Sequence, residues 1–324
     1  MTTSPIHFER AYNFGGDPDW HQLSQRMGEE CLRRRIEIQN LHYTSLLTRS
    51  RRYLSRQLIK NAAEWTFRLS GLYALGHRQF RAVRVVTRVH NLPRLPPPLN
   101  GMRILQLSDL HLDLDPGLAE VVADRLSGLE YDLAVLTGDF RNSTYGDFHP
   151  ALVHTRRVVE SLTAPPYGVL GNHDYLEMAP KLEEMGVRML LNESIPVTVR
   201  RISFFLAGVD DAHLYRTHDT ARAAANIPRN AFSIFLSHAP EAYDEAARAG
   251  FDFFLCGHTH GGQICLPGGI PIITHCRAPR WCARGSWTWK GMRGYTTTGT
   301  GGCGAALRLN CPPEIVLHEL RGIT

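Results

Sequence analysis

Five short apolar segments between residues 103 and 257 each end beside a side chain that can bind a metal ion, and this recurrence limits the fold more than any other feature. The segments are RILQLS (103–108), LAVLTG (133–138), YGVLG (167–171), FSIFLSH (232–238) and FDFFLCG (251–257). Their length and composition predict buried strands. Helical patterns lie between them at 118–128, 151–162, 179–186 and 241–250. Strands that alternate with helices predict an α/β fold with a buried sheet.

The polar side chains at these strand ends are carboxylates, imidazoles and one carboxamide. They are Asp109, His111, Asp139, Asn172, His238, His258 and His260. Strand ends on one edge of an α/β sheet meet in space, so we expect these side chains to form one polar site. The last two stand in GHTHGG, whose glycines let the backbone turn sharply and approach other groups closely.

This ligand set favours divalent ions such as Mn, Fe, Co or Zn, because it offers oxygen and nitrogen atoms and no thiolate. Seven candidate ligands exceed the need of one ion, and they suffice for two ions about 3.5–4 Å apart that share one carboxylate. Such a pair holds a phosphoryl group and lowers the pKa of bound water. The sequence therefore predicts a dinuclear hydrolase of phosphate esters.

The five blocks LQLSDLHLD, LTGDF, GNHD, SHAP and GHTHGGQ resemble those of the calcineurin-like metallophosphoesterase family, over about residues 81–321. The LPGG that follows the last block, and the tail GTGGCGAALRLNCPPEIVLHEL, resemble a bacterial subgroup of membrane-associated phosphodiesterases. That subgroup contains enzymes that resemble UDP-2,3-diacylglucosamine pyrophosphatase. The resemblance implies a four-layer α/β/β/α sandwich of two mixed sheets.

The resemblance also implies roles for the strand-end residues. The first metal ion would be bound by Asp109, His111 and His260. The second would be bound by Asn172, His238 and His258. Asp139 would bridge the two ions.

The same resemblance assigns catalytic roles to His173 and Asp174, which complete the GNHD block. His173 would contact the phosphate or protonate the leaving oxygen, which a histidine can do near neutral pH. Asp174 would orient His173, as a supporting carboxylate does for an imidazole.

We therefore expect a metal-dependent phosphohydrolase with two divalent ions, Mn first and Fe, Zn or Co as alternatives. The best candidate reaction cleaves UDP-2,3-diacylglucosamine to UMP and lipid X in lipid A synthesis. One alternative is a soluble substrate, such as a cyclic nucleotide or another small phosphodiester. Another is a binding scaffold of this fold without catalysis. No nucleic-acid partner is expected, because the basic charge lies outside the catalytic region.

The basic charge is concentrated before the proline-rich stretch LPRLPPPLNG at 92–101. Residues 1–100 contain 16 basic and 7 acidic side chains, although the whole chain carries only +5. We predict a basic amphipathic helical extension over 1–80, with helices at about 22–47 and 50–74, and a catalytic domain over 81–324. Residues 22–74 would either contact an anionic membrane or pack on the catalytic domain. No secretory signal or membrane-spanning segment is recognised, so we expect a cytoplasmic protein, peripheral on the inner face of the cytoplasmic membrane.

Three further features need a separate interpretation. The seven cysteines have no C-x-x-C spacing and predict reduced thiols, although a structural zinc among Cys265, Cys276 and Cys282 is an alternative. The run RRR at 33–35 is typical of a solvated helix face. Basic and aromatic residues after the last block would either line the substrate entrance or pack as ordinary loops; they are Arg277, Arg280, Trp281, Trp287 and Trp289.

Overall fold

The structure has two helices where the sequence predicts a single helix at 22–47. The computed structural model describes residues 18–47 and 67–323. The helix expected at 22–47 is divided into α1 (Trp20–Met27) and α2 (Glu29–Leu47). The division falls at Gly28, whose φ of +89° favours glycine and ends α1. Most of the helix predicted at 50–74 lies outside the described residues, and α3 (Leu72–Arg81) follows it.

The first sheet has six strands in the order β1-β14-β2-β3-β4-β5. These strands are β1 (Arg84–Leu92), β2 (Met102–Leu107), β3 (Leu133–Thr137), β4 (Pro166–Val169), β5 (Arg188–Met189) and β14 (Glu314–Gly322). All neighbours are parallel except β14 and β2. Three helices connect its parallel strands: α4 (Leu118–Leu126), α5 (His149–Val159) and α6 (Met178–Glu184).

The second sheet also has six strands, in the order β12-β13-β9-β8-β7-β6. These strands are β6 (Glu193–Val199), β7 (Ile202–Gly208), β8 (Ser233–Leu236), β9 (Phe253–Cys256), β12 (Gly285–Trp289) and β13 (Met292–Thr296). Helices α7 (Thr220–Ala224) and α8 (Tyr243–Ala249) connect β7, β8 and β9. A separate two-stranded hairpin, β10 (Cys265–Leu266) and β11 (Ile270–Pro271), follows β9. Strand β12 contains Trp287 and Trp289, for which the sequence suggested either a substrate entrance or ordinary loop packing.

Three apolar cores show that the molecule has four layers. The two sheets pack face to face through side chains such as Ile104, Val135 and Phe253. The outer face of the first sheet packs on α1, α2 and α4 to α6, and that of the second packs on α7 and α8. Layers of this kind bury both faces of each sheet. The predicted α/β/β/α sandwich of two mixed sheets is confirmed.

The described part of the amino-terminal extension shares the core of the first sheet. Leu23 and Met27 of α1, and Leu32 and Ile36 of α2, are buried in that core. These apolar faces therefore pack on the catalytic region, as one of the two interpretations proposed. The boundary at residue 80 stays a prediction. No helix among the described residues is both long enough and apolar enough to cross a bilayer.

A buried hydrogen-bonded chain joins both sheets and predicts how stability depends on pH. His90 Nε2 lies 2.9 Å from His318 Nδ1, and His318 Nε2 lies 2.9 Å from Gln106 Oε1. The Gln106 amide nitrogen in turn donates to the Cys256 carbonyl at 3.1 Å. Because the Gln106 oxygen only accepts, His318 Nε2 carries the proton and both rings fit as neutral imidazoles. Burial lowers the pKa of His90 to about 4.

The folded protein should therefore lose stability as pH falls below the ordinary histidine pKa. Protonation then favours the unfolded chain, so the free energy of unfolding falls by on the order of 3 kcal/mol between pH 6.5 and about 4. Above pH 6.5 this histidine contributes no pH dependence. Urea unfolding at about pH 7.5 and about pH 5 should show a smaller loss for His90→Gln than for the wild type. An equal loss in both proteins would contradict this assignment.

Candidate metal centre

The seven predicted ligands lie together between the two sheets, at the carboxyl ends of five strands. β2 is followed by Asp109 and His111, β3 by Asp139, β4 by Asn172, β8 by His238, and β9 by His258 and His260. All seven side chains are buried. The structure therefore brings together every residue that the sequence named as a ligand.

The set predicted for the first ion is continuous through short contacts. Asp109 Oδ1 lies 3.3 Å from His260 Nε2, which lies 3.3 Å from His111 Nε2. His111 Nε2 then lies 3.5 Å from Asp139 Oδ2. Two imidazole nitrogens and two carboxylate oxygens thus face one small volume.

The set predicted for the second ion meets the first at Asp139. The Oδ2 atom of Asp139 lies 3.3 Å from His238 Nε2, and that nitrogen lies 3.1 Å from Asn172 Oδ1. His258 completes the group, since the ligand atoms of Asp139, His238 and His258 all lie within 4.8 Å of one another. Asp139 Oδ2 belongs to both sets, as a bridging carboxylate requires.

Backbone contacts determine which nitrogen of each ring faces the centre. The Nδ1 atoms of His111 and His238 each lie 2.7 Å from a carbonyl oxygen, those of Arg141 and Thr137. A carbonyl only accepts, so each Nδ1 carries a proton. The neutral ring of His111 turns an Nε2 lone pair toward Asp139. Burial disfavours a charged His238, but the Asp139 carboxylate outweighs burial and raises its pKa, so without a bound cation its Nε2 also carries a proton that faces Asp139. A lone pair that faces a carboxylate is repelled unless a cation or proton lies between them. This donor arrangement fits divalent cations.

The charge states of His111, His258 and Asp109 also suit metal binding. Burial lowers the pKa of His111 to about 3, and burial together with neighbouring imidazoles lowers that of His258 to about 3. Burial raises the pKa of Asp109 to about 6, with the Asp139 carboxylate adding to the rise. Neutral imidazoles are the form that binds a metal ion. Crowded carboxylates gain from a neighbouring positive charge.

The backbone at this centre adopts conformations that ordinary residues avoid. Positive φ values occur at five candidate ligands: Asp109, His111, Asp139, His258 and His260. Such strain persists where the surroundings enforce it, and it is typical of functional sites. Gly171 permits one close approach, because a Cβ atom there would lie 2.2 Å from Asp139 Oδ1. Gly257 permits another, since its Cβ atom would lie 2.0 Å from Ser108 Oγ.

Asp174 supports the centre in a way that differs from the expectation that it orients His173. Its Oδ2 accepts hydrogen bonds from the backbone N–H groups of Asp139 and Gly171, each at 2.8 Å, and its Oδ1 accepts from Phe140 at 2.9 Å. The carboxylate therefore holds the loop after β3 against the loop after β4. His173 Nδ1 instead contacts the carbonyl of Asn142.

His173 stands beside the cluster without joining the predicted ligand sets. Its backbone N–H donates to Asp139 Oδ1 at 2.9 Å, and its Nε2 lies 3.9 Å from Asp139 Oδ2 and 3.6 Å from Cys303 Sγ. Burial disfavours the charged ring, but the Asp139 carboxylate outweighs burial and raises the pKa of His173 to about 10. A protonated imidazole here has the charge that a general acid needs.

The sequence interpretation missed two residues of α2 that hold the loop after β4. Arg33 and Arg34 are exposed as expected, but Arg35 is fully buried. Its Nη2 donates to the Asp174 carbonyl at 2.9 Å, and its Nε lies 3.7 Å from Asp210 Oδ2. Gln39 accepts a hydrogen bond from the Leu176 N–H at 2.9 Å. In a helical period of 3.6, Arg35 and Gln39 share the face of Leu32 and Ile36, and this was the available signal.

The sequence interpretation also missed Arg308 and the pair of His213 and Glu241, which lie near the centre. Arg308 is buried, and its Nη2 donates to the Thr298 carbonyl at 2.7 Å and lies 3.3 Å from His260 Nδ1. His213 Nδ1 lies 2.6 Å from Glu241 Oε1, and the His213 ring lies 4.1 Å from the ring of His258. No motif marks these residues, because each is brought to the site by a distant element.

One cysteine, Cys303, has metal-binding geometry together with His111 and His260, whereas within the described residues the three cysteines considered for a structural zinc do not. All seven are free thiols, and four of them are buried. Among the described residues, the groups with metal-binding geometry contain none of Cys265, Cys276 and Cys282. The alternative of a structural zinc at those cysteines has no support in the structure.

Comparisons with known proteins agree with the geometry. A sequence profile described as calcineurin-like phosphoesterase matches residues 102–262. The chain is 29% identical over 239 residues to phosphodiesterase YaeI of Escherichia coli, covering 67% of this chain and 82% of that protein. It is 27% identical over 235 residues to the uncharacterized metallophosphoesterase YkoQ of Bacillus subtilis, covering 69% and 85%. A solved structure, TT1561 of Thermus thermophilus, shows 14% identity, a TM-score of 0.40 and coverage of 62% and 90%.

The contacts of Arg35 predict an effect on both stability and the metal centre. Arg35→Met should lower the free energy of unfolding by roughly 3–5 kcal/mol, because Asp210 would remain buried without its counter-charge. Arg35→Lys should lower the free energy of unfolding by less, because lysine keeps the positive charge although it lacks the planar guanidinium group. The Met variant should also bind Mn²⁺ more weakly, because the loop that Arg35 holds carries Asn172. Urea unfolding and titration calorimetry measure the two effects.

Arg33→Met on the exposed face of the same helix is the matched control. It should change the free energy of unfolding by no more than about 0.5 kcal/mol. If Arg35→Met behaved like this control, Arg35 would have no supporting role.

Proposed function

The chain belongs to the calcineurin-like phosphoesterase family, and we propose that it hydrolyses phosphodiesters with two divalent metal ions held at the cluster described above. One observation carries the proposal: Asp139 Oδ2 lies within 3.5 Å of both His111 Nε2 and His238 Nε2, which belong to different ligand sets. A carboxylate oxygen shared in this way can bridge two cations, and a cation would replace the proton that His238 Nε2 otherwise carries toward Asp139. When bound, such ions polarise the phosphoryl oxygens and activate the attacking water.

The residues of the cluster and its surroundings have separate roles in binding the ions and supporting the loops. Asp109, His111 and His260 are proposed to bind one ion, and Asn172, His238 and His258 the other. Asp174 keeps the loops after β3 and β4 at a constant separation through its three backbone hydrogen bonds. The two ions would depend on that separation, because Asp139 follows β3 and Asn172 follows β4.

His173 is proposed as the group that gives a proton to the leaving oxygen. The Asn142 carbonyl holds its Nδ1, so that Nε2 faces the cluster. The neighbouring carboxylate of Asp139 favours the protonated ring. Proton transfer from Nε2 neutralises the alkoxide that leaves when the P–O bond breaks.

We propose Mn as the native metal and a lipid-linked phosphodiester or pyrophosphate as the substrate, with UDP-2,3-diacylglucosamine as the specific candidate. The support is the resemblance of the sequence blocks and the +9 charge of residues 1–100. A contact of residues 22–74 with an anionic membrane, on the cytoplasmic side, belongs to the same proposal. In the described part of that range one apolar face of α1 and α2 is buried, so exposed side chains such as Leu41 and Arg34 would make the contact.

The substrate assay compares two esters under one set of conditions. Purified protein is incubated with Mn²⁺ in mild detergent, with UDP-2,3-diacylglucosamine or with bis(4-nitrophenyl) phosphate. Release of UMP and lipid X at a rate above that of the aryl ester would support the lipid substrate. Turnover of the aryl ester alone would support the metal-dependent hydrolase and reject this lipid, and a cyclic nucleotide would be assayed next.

The bridging role of Asp139 predicts loss of both metal binding and turnover. Asp139→Asn should lower the turnover of bis(4-nitrophenyl) phosphate by at least about a thousandfold, because the bridging charge between the ions is lost. The bound metal, measured by plasma mass spectrometry, should fall below the two ions per chain expected of the wild type. Asp124→Asn, on the exposed surface of α4, is the matched control and should retain both. Full activity of Asp139→Asn would refute the assignment.

The role of His173 predicts a dependence on the leaving group. A poor leaving group needs its proton, whereas 4-nitrophenolate leaves without one. His173→Gln should therefore lower kcat for an alkyl phosphodiester by roughly 10²–10⁴ and affect the nitrophenyl ester far less. The exposed His149→Gln serves as the control. Equal losses on the two esters would instead assign His173 to phosphate binding.

A further inference from the structure

Large apolar side chains are exposed next to the metal centre, on the β10–β11 hairpin and the loop that follows it. Of the eleven large hydrophobic residues exposed in the described parts of the chain, five lie within sixteen positions of one another. We name these five the hairpin patch: Leu266, Ile270, Ile272, Ile273 and Trp281, each 44–58% exposed. Single exposed apolar residues are ordinary, but a concentration of them marks an interaction surface.

The hairpin presents part of this patch as one face. Leu266 and Ile270 are directly opposite each other in the antiparallel pair β10–β11, so their side chains lie on the same side. The turn between them contains Gly268 and Gly269, both at positive φ, which produces a tight tip. Ile272 and Ile273 continue from β11 without an intervening polar residue.

The chain segment that carries the patch is basic. Residues 253–313 contain six basic side chains and no Asp or Glu, and two acidic side chains from the preceding segment contact it, Glu241 at the Arg277 N–H and Asp244 at Lys290. Two of the exposed arginines are fastened to the hairpin itself. Arg280 Nη2 donates to the Pro271 carbonyl at 2.9 Å, and Arg284 Nη1 donates to the Gly269 carbonyl at 3.0 Å. Their guanidinium groups therefore form a positive rim at the edge of the apolar face.

Trp281 lies at the border between this face and the body of the protein. Its ring stacks on Trp289 at 5.4 Å and meets the Tyr243 ring edge to face, also at 5.4 Å. Its outer part remains exposed. A tryptophan that is anchored on one side and exposed on the other is typical of the interface between hydrocarbon and headgroups.

The patch is also adjacent to the metal centre. His258 Nε2 lies 3.1 Å from the His275 carbonyl, which belongs to the loop after β11. A Cβ atom on Gly262, which ends the GHTHGG turn, would lie 2.5 Å from Pro271 Cβ. A surface that contacts the hairpin patch would thus bring its own groups close to the ion positions.

We propose that the hairpin patch docks the protein on an anionic phospholipid bilayer, with the metal centre facing the headgroups. The aliphatic side chains enter the boundary between headgroups and acyl chains, and the arginines bind lipid phosphates. A protein partner would have to match the arginine rim of the hairpin with acidic groups in fixed places, whereas an anionic bilayer matches it in any orientation. This inference rests on the proposed function and deepens it, because it makes a membrane-held phosphodiester the substrate class.

Vesicle binding tests the docking separately from the chemistry. Full-length protein is sedimented with vesicles of phosphatidylcholine and phosphatidylglycerol in equal amounts, and with vesicles of phosphatidylcholine alone. The wild type should bind the anionic vesicles at least about tenfold more tightly, and added salt should weaken this binding. Ile272→Asp combined with Ile273→Asp should weaken it about tenfold or more, because two carboxylates would enter the interface. Leu266→Gln combined with Ile270→Gln should also weaken binding to the anionic vesicles.

The matched control places the same charges on exposed apolar positions outside both the patch and residues 22–74, Val153→Asp on α5 with Ile323→Asp after β14. This control should bind vesicles as the wild type does. Every variant should still hydrolyse bis(4-nitrophenyl) phosphate with Mn²⁺, which shows that it is folded. Failure of the wild type on that ester, with vesicle binding intact, would count against the proposed function and leave the docking surface standing.

Three outcomes would overturn the docking proposal. The first is a wild type that does not sediment with anionic vesicles. The second is unchanged binding in both patch variants. The third is self-association of the wild type, seen by light scattering, that the patch variants abolish and vesicles do not reverse, which would assign the patch to a protein interface.

Discussion

The crowding of buried imidazoles and carboxylates around Asp139 is the constraint on which the rest of the site depends. Asp139 Oδ2 faces the Nε2 atoms of both His111 and His238, whose Nδ1 protons point to backbone carbonyls. Buried polar groups are stable together only when their charges and hydrogen bonds are satisfied. The two cations proposed above would satisfy them, one on each side of the carboxylate.

The surrounding structure holds the ligand residues in backbone conformations that are unfavourable by themselves. Five ligand residues adopt left-handed backbone conformations, and two separate close approaches leave room only for glycine at 171 and 257. Asp174 joins the loop after β4 to the loop after β3, and Arg35 holds the loop after β4 from the side of α2. Arg35 belongs to α2, a helix that lies before the residues matched by the family profile. The helices before β1 therefore belong to the catalytic unit in a structural sense, whatever else they contact.

Much of the fold and the centre could be predicted from the sequence, because the relevant signals are local. Strands β2, β3, β4, β8 and β9 are short apolar runs, and each is followed at once by its ligand, so both strand and ligand are visible in one stretch. Gly28 was overlooked as a helix terminator, and β12 was not recognised because its two tryptophans read equally well as loop residues. The contact of Asp174 was misassigned because neighbouring residues in sequence, such as His173, need not face each other in a tight turn.

The sequence by itself determined the chemistry of the centre: which ligand types are present, that they follow strands, and that they exceed the need of one ion. These are properties of composition and order along the chain. Only the tertiary structure decided which nitrogen of each imidazole faces Asp139, that Arg35 is buried while Arg33 and Arg34 are not, and that the hairpin patch lies beside the ion positions. Those facts depend on contacts between residues far apart in the chain, such as Arg35 with Asp174 and His258 with His275. Contacts of that kind follow from how the two sheets and their covering helices pack, which no local pattern records.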